Sequence, residues 1–300
     1  MTMVLIGTLP PQAKWLSETV RWPRLSAQNP GFIDALPSLA SVLGQLFCRT
    51  VAVSPADLAI HGLGRICIED FIEILFLSEH DFSIGALKLL RGLFERAVTA
   101  EVIASDASDS DLFVDYYAVS SFKGKQRAAG VYKGRWPSTE RAAEEYEKIK
   151  TKYKADPCES CGMRRQMSWT PLSLESLADK AASAIASRHE EKKQPHLKNF
   201  YLLGADIPNP HIHASMFSVI ARIREEGEKI VYREQLDAQG NLALSAAHSL
   251  ISLVAYTQNH YFNLGLDKEL EEINARIEVA WHAEDIRSSH PVPPLNPGGA

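Results

Sequence analysis

Arg91 and Glu95 stand one helical turn apart in IGALKLLRGLFERAV. A guanidinium suits phosphate or carboxylate, and a carboxylate four residues on can neutralise it. At about 100° per residue Arg91 falls among Ile84, Val98 and Val102 on an apolar face. Burying it there unpaired would be prohibitive, so Glu95, or Glu69, Asp70 or Glu73 from the preceding helix, is expected to pair with it. One reading is an ion pair that fixes the register of two helices. The other is an internal polar site, since inward-facing charged groups are a common way for bundles to hold ligands or metals.

A second pattern is PNPHIHAS, residues 208–215. Asn209 suits an N-cap and Pro210 the first helical position, which starts a helix to about residue 226. Two positions apart on a helix, imidazoles diverge by about 200°, so His211 and His213 do not share one metal ion. The wheel sends His211 to the polar side with Ser215, Ser218 and Arg222. It sends His213 toward the stripe of Ile212, Met216, Val219, Ile220 and Ile223. His213 is then either a hydrogen-bonded core histidine or an acid, base or ligand contact. His213 and Ser215 diverge too, and nothing supplies a nucleophile elbow.

Cys158 and Cys161 make half a zinc site that only His189 and His196 are placed to complete, at looser spacing than common zinc modules. A surface dithiol is the alternative, and no cofactor is expected. Cys48 and Cys67 read as small core hydrophobes. No Walker loop, dinucleotide fingerprint, His-Glu-x-x-His or calcium loop occurs.

These residues need helices to position them. Periodicity of three and four predicts helices over 32–47, 56–77, 83–104, 174–187, 242–264 and 266–282, with a short one near 197–203. SDASDSD at 105–111 reads as a turn. A charged helical excursion is expected over 112–165, an irregular loop with Cys158 and Cys161 over 155–172, and a short hairpin within 228–241 with Gly240 as the break. The expectation is an all-α bundle of about eight to ten helices spanning 31–283, after an N-terminal extension (1–30) and before a Pro- and Gly-rich tail (284–300).

The net charge of −5 and pI near 6.1 argue against a surface built wholly for nucleic acid or anionic membrane. The charge is uneven, however. Residues 55–120 hold 12 acids and 4 bases, whereas 121–170 hold 12 bases and 6 acids. The start lacks a basic leader, and the apolar stretch 242–256 is interrupted by Ser245, His248, Ser249 and Ser252. A cytoplasmic chain without membrane contact is expected.

Taken together, LLRGLFERAV (89–98), SWTPLSLESLAD (168–179), Tyr201 with Leu203-Gly204, and His213-Ala-Ser215 resemble an all-helical bacterial family of unknown function. The resemblance covers roughly 60–260. That family's layout is similar to the HEPN class, which includes metal-independent ribonucleases of toxin and antiviral systems and catalytically silent binding modules. The resemblance implies that Arg91, Glu95, Tyr201, His213 and Ser215 converge on one site. RNA cleavage would use His213 as acid or base and Arg91 on phosphate, with Lys123, Lys125 and Arg127 along the RNA backbone. It also implies a homodimer in stress or phage defence. Gly204 stands where that family tends to have Ser, Pro-Asn-Pro-His precedes His213, and the HEPN Arg-to-His spacing of four to six residues is absent. The alternative is a non-catalytic module that binds a protein partner, with the Arg/Glu/His network structural.

Overall fold

The computed structural model describes residues 5–116, 169–188, 197, 201–212, 220, 223–227, 229–232 and 237–288. The architecture is all-α. Helices α1 (Pro23–Gln28), α2 (Pro30–Arg49), α3 (Pro55–Glu79) and α4 (Ser83–Ser105) are followed by α5, helical over 107–116. Then come α6 (Leu174–Arg188), a π-helical segment (Leu202–Asp206), α7 (Asn209–Ile212), α8 (Asp237–Tyr261) and α9 (Asp267–Ser288). Two antiparallel strand pairs are isolated: β1 (Leu5–Ile6) with β2 (Val51–Ala52), and β3 (Ile223–Glu226) with β4 (Lys229–Tyr232).

Helix α4 is the centre. It packs on α3, α6 and α8 and carries Leu87, Leu90, Leu93, Phe94, Ala97 and Val98 into the core. The connection from α3 is so short that the two run antiparallel, and Asp81 turns it at φ 66°. A similar turn joins α8 to α9 through Asn263 (φ 50°) and Gly265 (φ 69°). Helix α2 is long and apolar enough to cross a membrane, but Phe32, Ile33, Leu36, Leu43 and Phe47 are buried in the core. The first thirty residues contribute to the same core through Leu16, Trp22 and Leu25. The Glu79 carboxylate accepts from the N–H groups of Arg24 and Leu25 (both 3.0 Å), satisfying donors at the start of α1.

Several expectations need correction. SDASDSD is not a turn: only Asp106 breaks the helical path, and its carboxylate accepts from the Ser108 N–H (2.9 Å) to start α5. The helix expected to reach 226 gives way to strand β3. The hairpin lies over 223–232, turning at Gly227 (φ 63°). Gly240 is no break; it lies inside α8, where an added Cβ would sit 2.9 Å from Ser83 Oγ. Cys67 is buried, but Cys48 is exposed.

Candidate functional site

Arg91 is half-buried and Glu95 exposed. Neither forms an ion pair or hydrogen bond among the described residues, so the expected buried Arg91 pair does not form. The acid on α3 pairs instead with Arg96, whose Nε donates to Asp70 Oδ2 at 2.8 Å. Glu69 lies 3.8 Å from Arg65. Burial raises the Asp70 pKa, and Arg96 opposes that shift. Position on the helix decides the difference: Arg96 reaches Asp70 on α3, and Arg91, five residues earlier, is turned about 140° from it.

Two further elements cover α4 nearby. The π-helical segment packs on it, and Tyr201 at its start meets Phe94 edge-to-face with centroids 6.2 Å apart. Wide π turns are frequent at functional sites. Gly204 lies against the same ring: a Cβ there would be 2.7 Å from Phe94 Cβ, which explains why this chain has no serine at that position. Helix α7 also packs on α4.

The histidine assignment within α7 is reversed for His211, which is 5% exposed rather than solvent-facing, while Ile212 is 43% exposed. The wheel gives only an angle, and packing of Asn209–Ile212 on α4 decides what is covered. Nor is Asn209 the cap: the Pro208 carbonyl accepts from the N–H groups of His211 (2.9 Å) and Ile212 (3.2 Å). Structure therefore brings the elements of Arg91, Glu95, Tyr201 and His211 together. His213 and Ser215 lie outside the described residues. So do Lys123, Lys125, Arg127, Cys158, Cys161, His189 and His196, and nearly all of the charged excursion. The described residues contain no cluster of three potential metal ligands.

A second polar region was not expected. A groove of about 890 Å³ opens between α6, α8 and α9. At one end the Arg188 guanidinium meets Glu101, which is 1% exposed. Glu101 also accepts from Thr257 Oγ1 (2.6 Å) and Ser105 Oγ (2.8 Å). A buried carboxylate needs this many partners.

Farther along the groove, Ser252 Oγ donates to Asn274 Oδ1 (2.6 Å) and contacts His248 Nε2 (3.4 Å). Burial lowers the His248 pKa to about 4, so the ring is neutral at neutral pH. Ser252 gives its proton to Asn274 rather than to the imidazole, so the trio is a hydrogen-bond relay and not an activated nucleophile. Its sequence signal was present as the polar residues interrupting 242–256, which share one stripe of α8 at spacings of three and four. The partner stripe on α9, Glu271, Asn274, Glu278 and Trp281, is legible only once the two helices are paired.

Residues 57–230 match a family described as a family of unknown function (DUF5677), and the chain belongs to it. No curated protein and no solved structure matches.

Proposed function

Starting from that membership, we propose that the α4 face binds a phosphate of an RNA chain and that the protein cuts the bound strand without a metal, as the HEPN-like resemblance implies. One observation carries the reading. Among the described arginine side chains of the matched segment, Arg65, Arg96 and Arg188 each meet a carboxylate, whereas half-buried Arg91 has none. An uncommitted guanidinium beside exposed Lys88 is suited to an anion. The histidines of PNPHIHAS, His211 and His213, then supply proton transfer, and Glu95 and Tyr201 flank the anion. The setting proposed is a bacterial cytoplasmic homodimer acting in stress or phage defence.

The test combines anisotropy of a labelled single-stranded RNA with gel analysis of its cleavage in EDTA. Arg91→Ala is expected to weaken binding about tenfold or more, the loss of a charged hydrogen bond, and to reduce the salt slope by about 0.7. His213→Ala is expected to abolish cutting while leaving binding intact. No RNA binding, or binding indifferent to Arg91→Ala, overturns the proposal. RNA bound but left whole in EDTA supports the second reading, a non-catalytic module. That reading is favoured by the two ion pairs on buried carboxylates, Asp70 with Arg96 and Glu101 with Arg188, which tie α4 to α3 and α6 as structural links.

A further inference from the structure

The groove between α6, α8 and α9 offers more acceptors than free donors, the buried Trp281 Nε1–H being an unpaired donor in its wall. Because Ser252 Oγ–H is committed to Asn274, the Ser252 oxygen is the acceptor for His248 Nε2–H. His248 Nδ1 then keeps its lone pair and has no hydrogen-bond partner among the described residues, on a side chain only 4% exposed. Ser245 and Ser249 donate to the carbonyls of Leu242 and Ser245 (3.2 Å each), leaving their oxygens as acceptors.

The main cationic donor on the wall is already consumed. Arg188 serves Glu101, Ser105 Oγ (3.1 Å) and the Ala184 carbonyl (3.3 Å). Opposite it, Glu271 and Glu278 line α9 without an ion pair among the described residues. Their field reaches inward: the Tyr256 hydroxyl is pushed up first by burial, and further by Glu271, Asp267 and Glu278. The remaining wall is apolar and aromatic, with Leu253, Ile185, Tyr256 and Trp281.

We infer that this groove binds an organic cation with an apolar body, an amine of roughly drug-like size. Its N–H groups meet His248 Nδ1 and the α9 carboxylates, and its body lies along Leu253 and Trp281. The α9 carboxylates disfavour an anion, which would face Glu271 and Glu278 with only the unpaired Trp281 Nε1–H to offset them among the described lining groups. A bare inorganic cation would leave most of the about 890 Å³ empty. Aromatic faces add attraction for ammonium. The groups assigned to the amine, His248, Leu253, Glu271, Glu278 and Trp281, lie on α8 and α9, beyond the family-matched segment, and the inference is independent of the RNA reading.

The experiment is calorimetric titration of the full chain at pH 7.5 with three ligands of one shape: phenylbutylamine, phenylbutanol and phenylbutyrate. The amine is expected to bind at least about tenfold more tightly than the alcohol, and the carboxylate more weakly than either. Glu271→Gln is expected to reduce amine affinity about tenfold and leave alcohol affinity unchanged. Glu272→Gln, which removes a carboxylate 3.6 Å from Lys268, is expected to change neither. Equal binding of all three ligands, preference for phenylbutyrate, no binding, or equal effects of Glu271→Gln and Glu272→Gln would each overturn the inference.

Discussion

At the scale of single residues, space and pairing decide what the sequence pattern leaves open. Gly204 is required because Phe94 occupies the volume a side chain would need, with the nearest ring atoms 2.7 Å from a built Cβ. Gly204→Ala should therefore overpack this joint and lower stability by about 1–3 kcal/mol. Urea unfolding measures it, and Phe94→Leu in the same chain should recover part of the loss. Arg91 shows what was legible. Its residue type and the helix beneath it were readable from the sequence, but the wheel gives only an angle. Which of two arginines five positions apart meets α3 depends on where α3 packs, and Arg96 takes that place. For His211 the same limit acts, because the packing of Asn209–Ile212 on α4 decides what is covered.

At the scale of elements, the long helices were legible because of their sustained apolar spacing, and in α3 because of a chemical start as well. Helix α3 is the clearest case. Ser54 Oγ accepts from the Asp57 N–H (3.0 Å), and the Asp57 carboxylate accepts from the N–H groups of Ser54 (3.0 Å) and Val53 (2.9 Å). Asp57 also accepts from the Tyr261 hydroxyl (2.9 Å), which ties the start of α3 to the end of α8. Ser54→Ala is expected to cost about 1 kcal/mol, read as a shift in the urea midpoint at constant m-value, and Ser54→Thr much less. The helix expected to reach 226 was carried too far because Met216, Val219, Ile220 and Ile223 repeat at helical spacing. Yet residues 223–226 find hydrogen-bond partners in 229–232 across a glycine turn that their periodicity does not reveal.

At the scale of the whole molecule, the buried histidines set a pH dependence. His248 is lowered to about 4 by burial, and His61 is lowered mainly by burial and then by Arg65. In the unfolded chain both titrate near 6.5, so between about pH 4 and 6.5 the unfolded state binds protons that the folded state refuses. Stability is complete above that window and declines as pH falls through it, with His248 contributing on the order of 3 kcal/mol. Urea melts from pH 7.5 to 4.5 should show this slope, and His248→Gln should remove most of it. The groove that contains His248 was not legible as a site, because its two polar stripes acquire meaning only from the pairing of α8 with α9.

The extent of the family match has a practical consequence for anyone cutting the protein into pieces. The matched segment ends at residue 230, but α8 begins at Asp237 and packs along both α3 and α4. A fragment trimmed to the shared boundary would expose the apolar faces that α8 normally covers and would be prone to clump. The region shared with relatives and the region that folds by itself are different lengths of chain, and expression trials should follow the second.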